Sequence, residues 1–312
     1  GHPLVIAGPC SAETEEQVLK IAKQLAESNT IDCLRAGIWK PRTRPNSFEG
    51  VGEIGLQWLK SAGKEINVPV ATEVANAKHV ELALKNNIDI LWIGARTSVN
   101  PFSVQEIADA VKGVDIEIMV KNPVNPDLHL WIGAIERIQQ SGVSKIKAIH
   151  RGFSSFENTI YRNVPKWEIP IELMRIFPEV PIICDPSHIG GKRDLIKKIS
   201  QKAMDLEMDG LMIESHINPD KAWSDAKQQI TPESLKELLD SLVVRKSFIE
   251  DDNLKSKLNN LRNSIDEVDE ELIQLLAARI ELIKEIGEYK KQNTITILQA
   301  KRWESIIDKR KE

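Results

Sequence analysis

Residues 3–28 read PLVIAGPCSAETEEQVLKIAKQLAES, and how that stretch is parsed decides the fold. The opening PLVIAG is a short apolar run, too short to span a bilayer and of the length of a buried strand. From residue 14 onward, TEEQVLKIAKQLAES places apolar residues three and four apart, the spacing of a helix with one face against a sheet. Between the two lies a short loop carrying Cys10. One strand, one loop and one helix make a unit that cannot bury its faces alone.

The unit recurs. Apolar runs at 4–7, 33–39, 69–74, 90–95, 117–121, 145–150, 181–184 and 210–213 are each followed by a longer stretch with helical periodicity. Eight strand–helix units ending near residue 242 match a (β/α)8 barrel in count and length. A doubly wound open sheet also alternates strand and helix, so the count alone leaves that α/β alternative open. In a barrel, function sits just past the C-terminal end of each strand. Those positions read AGPCS (7–11), RAGIWKPRT (35–43), TEV (72–74), GAR (94–96), VKN (120–122), HRG (150–152), CDPSH (184–188) and IESH (213–216). Arg35, Lys40, Arg42, Arg96, Lys121 and Arg151 would thus converge on one rim, which implies a polyanionic ligand, because phosphate needs several N–H donors in fixed geometry. Cys10, His188, Glu214 and, eleven residues further, Asp225 would share that rim. A mixed S, N, O, O set suits Mn, Fe, Co or Zn better than Mg or Ca.

Composition narrows the classes. The chain has 312 residues, enough for one large domain and a small one, and a formal net charge of -4 without a long basic block, which argues against nucleic acid as a partner. No apolar run is long enough for a membrane span. Three cysteines at unpatterned spacing argue for a reducing compartment, so a cytoplasmic location is expected. The stretch GVGEIG (50–55) matches G-x-G-x-x-G literally, but the preceding KPRTRPNSFE is polar and carries prolines, so the dinucleotide reading is rejected.

The ordered motifs AGPCS, KPRT, IGAR, VKN, HRG, DPSH and IES over residues 1 to about 242 resemble the 3-deoxy-D-arabino-heptulosonate 7-phosphate (DAHP) synthase family, in its short type I form without an N-terminal regulatory extension. The resemblance implies condensation of phosphoenolpyruvate with erythrose 4-phosphate and release of phosphate. It assigns Cys10, His188, Glu214 and Asp225 to a divalent metal. Arg96, Lys121 and Arg151 would hold the phosphate of phosphoenolpyruvate, with Ala95 beside them, while Arg35 and Lys40 face its carboxylate. Pro41, Arg42 and Thr43 would border the sugar phosphate, and Asp185 its hydroxyl end. Lys40 would protonate the developing alkoxide, and Glu73 would guide water. The 3-deoxy-octulosonate 8-phosphate synthases share fold and mechanism but take arabinose 5-phosphate, and they carry a KANRSS-like segment where this chain has KPRT.

Beyond a polar linker at 243–253 a new periodicity begins. Leu254, Leu258, Leu261, Ile265, Val268, Leu272 and Leu275 alternate steps of four and three. The seam then places Arg279 and Lys290 where apolar residues belong, about 16 Å apart along a helix, close enough to grip one small dianion. Residues 254–312, including LRNSIDEVDEELIQLLAARIELIKEIGEYKK, resemble the AroQ-class chorismate mutases, a small all-α helical domain. The resemblance implies rearrangement of chorismate to prephenate by Arg262, Arg279, Lys290, Gln299 and Arg302, with Gln299 and Trp303 where the family usually has an acidic pair, and with the family's third helix expected to be missing. Arg262 lies about 25 Å from Arg279 on a straight helix, so it would serve the site of a partner chain in a homodimer or a higher oligomer. A sensor of pathway product and a pure dimerisation module are the alternative roles for this domain.

Overall fold

The computed structural model describes residues 3–28, 31–40, 48–245, 251–297 and 300–309. They form two compact units, residues 1–245 and 246–312.

In the first unit the strands are β1 (Leu4–Gly8), β2 (Cys33–Arg35), β3 (Val70–Val74), β4 (Ile90–Ile93), β5 (Glu117–Lys121), β6 (Ile146–His150), β7 (Ile182–Cys184) and β8 (Gly210–Glu214). All pair in parallel and in sequence order, and β8 returns to β1 with Met212 opposite Ile6, so the sheet is a closed barrel and the open-sheet alternative falls. The opening stretch shows how one unit forms. Thr14 caps α1 (Glu15–Glu27) by accepting the amide of Gln17, two glutamates favour the positive end of the helix, and Val18, Ile21, Ala22 and Leu25 bury its inner stripe. The helices α2 (Glu53–Ile66), α3 (Ala77–Lys85), α4 (Pro101–Ala110), α5 (Leu128–Gln140), α6 (Glu168–Ile176), the short α7 (Pro186–Gly190), α8 (Arg193–Asp205) and α9 (Pro232–Asp240) complete the outer layer.

The apolar run 33–39 outlasts its strand, since β2 ends at Arg35. Gly37 donates to Cys10 O and accepts from the Ala12 amide, so this backbone leaves the barrel to pair with the loop after β1.

Side chains on a strand alternate between two faces, and that alternation builds the site. A cluster of inward side chains takes one residue from each strand: Ile6, Cys33, Ala71, Trp92, Met119, Ile149, Ile183 and Met212. Two residues further along each strand, and so on the same inner face, stand Gly8, Arg35, Glu73, Gly94, Lys121, Arg151, Asp185 and Glu214. Six of these eight carry charge. The residues of opposite parity, such as Val5, Ala7, Leu34, Leu91 and Val120, pack outward in the core under the helices. Hydrophobic burial therefore fixes the register, and the register delivers the charged groups to the mouth.

The second unit holds α10 (Asp252–Gln292) and α11 (Ala300–Asp308). Asp251 caps α10 by accepting the amides of Asn253 and Leu254. In the single chain α10 buries none of its side chains; seam residues such as Leu272 and Leu282 stay more than half exposed, while Leu258 is partly covered. Among the described residues no helix is long and apolar enough to cross a membrane.

Candidate active site and metal cluster

Cys10 follows β1 through a backbone that only glycine permits. Gly8 has φ of +149°, and a Cβ there would lie 2.0 Å from the Arg35 carbonyl oxygen. The chain therefore passes close to β2 and turns Cys10 into the mouth. The Cys10 thiol, the Glu214 carboxylate at the end of β8 and the Asp225 carboxylate in the following loop lie with ligand atoms all within 4.8 Å of one another. Asp225 takes the left-handed conformation, φ 45° and ψ 39°, an arrangement that costs energy in a non-glycine residue and recurs at functional sites. His188, on α7, puts Nε2 3.6 Å from Glu214 Oε1 and Nδ1 2.7 Å from Asp185 Oδ2. Asp185 thus stands behind the imidazole at ion-pair distance.

The charges reinforce one another. Burial pushes the Cys10 thiol up to about 12, with Glu214 adding to the effect. Burial alone would also raise Glu214, but His188, Arg35 and Lys40 outweigh it and lower the group. Asp225 is likewise held low against its burial, chiefly by Arg162. Glu214 Oε1 is buried and has no hydrogen-bond partner, though Arg35 Nη1 lies 3.5 Å away. One thiol and two ionised carboxylates, with a buried oxygen left aimed into the group, fit a divalent transition metal; the expected fourth ligand, His188, stands beside this group and is not one of the three gathered in it.

The cations stand at graded depth. Arg35, Lys121 and Arg151 are almost wholly buried, Lys40 is half-buried and Arg96 is exposed at the rim. Arg35 Nη2 donates to the Cys10 carbonyl, while its Nε and Nη1 have no hydrogen-bond partner. Lys40 Nζ donates to Cys10 Sγ at 3.0 Å; burial would lower this ammonium, but Cys10 and Glu214 raise it. Arg151 donates to Asn163 Oδ1, and burial brings it down to about 10, still a cation at neutral pH. Lys121 Nζ pairs with Asp185 Oδ2 at 2.8 Å. Asp185 is held well below the carboxylate range because His188 and Lys121 outweigh its burial. Asp185, expected at the hydroxyl end of the sugar, contacts Lys121 and His188 in this structure.

Some site residues were invisible in the sequence. Trp92 lies beneath the cations, with the Arg35 guanidinium 4.7 Å and the Lys121 ammonium 5.7 Å from its ring centroid, and its indole N–H donates to Glu73 Oε2. The available signal was its inward parity, two residues before Gly94. Arg162, Gln228 and Gln229 also reach the group of Cys10, Glu214 and Asp225 and stood in no motif. Pro41, Arg42, Thr43 and Gln299 lie outside the described residues, while Ala95 is buried beside Arg96.

Gly94 supports a direct test of the part played by Glu73. A Cβ there would lie 2.2 Å from Glu73 Oε1. Gly94→Ala is expected to swing Glu73 away from Trp92 and lower turnover about 10²-fold, the scale of a misplaced reacting group, at a stability cost of about 1–3 kcal/mol for the extra methyl. Steady-state kinetics beside a thermal melt would separate the two effects.

In the second unit Arg262, Arg279 and Lys290 all lie on α10 and Arg302 on α11. Lys290 Nζ donates to the Ile297 carbonyl. Arg262 and Arg279 are exposed, and the unbroken helix between them keeps them about 25 Å apart.

Fold and mouth together define a (β/α)8-barrel enzyme whose reaction centre is ringed by buried cations. Residues 1–249 match the DAHP synthetase I family, and the chain belongs to that family. Residues 261–312 match chorismate mutase type II, so enzymes of a transferase and an isomerase class share one chain. The chain is 34% identical over 242 residues to the phospho-2-dehydro-3-deoxyheptonate aldolase of Thermotoga maritima, a match covering 78% of this chain and 69% of the relative. It is 28% identical over 274 residues to the 2-dehydro-3-deoxyphosphooctonate aldolase of Desulfotalea psychrophila, covering 80% and 92% respectively. A truncated form of 3-deoxy-D-arabino-heptulosonate 7-phosphate synthase from Thermotoga maritima superposes with a TM-score of 0.66 at 30% identity, covering 77% of this chain and 85% of that structure.

Proposed function

We propose that the barrel condenses phosphoenolpyruvate with erythrose 4-phosphate and water to give DAHP and phosphate, and that Cys10, His188, Glu214 and Asp225 hold a divalent metal of the Mn, Fe, Co or Zn class. The observation that carries this reading is the convergence of buried Arg35, Lys121 and Arg151 beside a thiol–carboxylate cluster at one mouth. When bound, the metal supplies Lewis acidity toward an aldehyde oxygen. The protein does the rest by position and fixed charge. Arg96, Lys121 and Arg151 bind the phosphate of phosphoenolpyruvate, and the unpartnered N–H groups of Arg35 meet its carboxylate beside Lys40. Carbon 3 of the enol attacks the aldehyde carbon, and Lys40 Nζ gives its proton to the alkoxide. Water, guided by Glu73, adds at carbon 2, and the phosphohemiketal breaks its C–O bond to release phosphate.

Mixing the intact chain with phosphoenolpyruvate and either erythrose 4-phosphate or arabinose 5-phosphate tests the substrate. Phosphate release with the first sugar alone is expected. Release with arabinose 5-phosphate alone would reassign the barrel to the octulosonate reaction.

The helical unit rearranges chorismate to prephenate, with Arg279, Lys290 and Arg302 gripping the two carboxylates and the ether oxygen and Arg262 supplied by a partner chain. The exposed apolar seam of α10 supports this pairing, since a soluble monomer rarely leaves so long a stripe uncovered. Sensing of pathway product by this unit is the regulatory part of the same reading.

A further inference from the structure

Four ligands of differing chemistry can bind a metal in several ways, because each carboxylate can offer one oxygen or two. The surroundings of Glu214 and Asp225 remove that freedom. Arg162 Nη1 donates to Asp225 Oδ1 at 3.0 Å and to Gln228 Oε1 at 2.5 Å. Gln228 is almost completely buried, and its Nε2 donates to Glu214 Oε2 at 2.7 Å. One outer oxygen of each carboxylate is thereby engaged. The other oxygens face inward, Asp225 Oδ2 at 3.4 Å from Cys10 Sγ and Glu214 Oε1 at 3.6 Å from His188 Nε2.

The bracket has its own foundation. The Arg162 amide donates to Gly190 O and the Asn163 amide to Ile189 O, while Asn163 Nδ2 donates to His188 O at 2.7 Å. Gly191, at φ +65°, leaves no room for a Cβ against the Arg162 side chain. The loop that presents Arg162 is therefore fastened to α7, the element that carries His188. Gln229, next to Gln228, accepts the Cys10 amide and donates to Ser224 O. Every candidate ligand is tied to this framework.

We propose that Arg162 and Gln228 act as one positioning bracket that holds Glu214 and Asp225 to a single metal-facing oxygen each. This inference rests on the metal reading above. Holding two carboxylates monodentate keeps the ligand count low, which favours small transition metals and disfavours Ca²⁺, an ion that takes six to eight oxygens and readily accepts bidentate carboxylates. The two residues thus tune selectivity through the ligands and touch no metal themselves.

The test uses the full chain freed of metal and titrated with Co²⁺ alone, read by its thiolate charge-transfer band and by competition with a chromophoric chelator, with Ca²⁺ as a second competitor. Arg162→Ala and Gln228→Leu are each expected to weaken Co²⁺ about 10- to 100-fold, the scale of lost outer-shell support, and to narrow the preference for Co²⁺ over Ca²⁺. The double variant should lose little more than either single one, as expected for partners in one network. Arg162 is half-exposed, so its variant keeps the test alive where Gln228→Leu fails to fold. Unchanged affinity and spectrum in a folded Arg162→Ala protein would overturn the bracket, as would a loss of affinity with the Co²⁺ to Ca²⁺ ratio intact. Failure of the unsubstituted chain to bind Co²⁺ would instead remove the metal reading itself.

Discussion

Chelation of the intact chain, or Cys10→Ala, is expected to cut DAHP formation by about 10³-fold or more while chorismate rearrangement proceeds unchanged. The asymmetry follows from the chemistry. The aldol-type step needs a polarised aldehyde, whereas a pericyclic rearrangement needs no acid, base or metal. The thiol adds a pH signature. Burial, helped by Glu214, pushes Cys10 up to about 12, so at neutral pH a bound metal must displace its proton. Apparent affinity should therefore rise about tenfold for each unit of pH as long as that single proton is released. Chelated protein that still makes DAHP at the full rate would sink the metal assignment.

Arg279→Ala should cost the mutase about 10²–10³-fold in kcat/KM, the loss of one charge-assisted clamp on a developing transition state, and leave the barrel reaction intact. Arg262→Ala should look the same in isolation, although Arg262 stands about 25 Å along α10 from Arg279. Co-expressing the two variants distinguishes a shared site from two separate effects. In a symmetric dimer each mixed pair holds one undamaged site and one doubly damaged site, so random pairing restores about a quarter of the sites. No recovery in the mixture would show that both arginines serve the site of their own chain.

The barrel was legible because burial imposes a period of two on each strand and a helical period between strands, and both survive in the sequence. The length of β2 was not, since Ile38 and Trp39 are apolar for a different reason: they pack in a segment that pairs with the loop after β1. Strand-end charges announced Arg35, Lys121, Arg151 and Glu214, because the residue that follows an inward apolar one by two must itself face inward. Trp92 escaped notice since a tryptophan in an apolar run reads as packing, and only the placed cations show its face in use. Arg162 lies in a polar loop without periodicity, and its reach to Asp225 depends on a contact with α7 that no local pattern encodes. Asp185 was recognised as important, but its pairing with Lys121, 64 residues away, is a property of the closed barrel alone.

The inward apolar side chains, one from each strand, also make the barrel a blind alley. Whatever reaches the depth of Arg35 and Lys121 came past the level of Arg96 and must leave the same way. If phosphoenolpyruvate takes the deep cations as proposed, a sugar phosphate seated at the mouth would close it in, and the order of entry would be set by where the hydrophobic residues stop along eight strands.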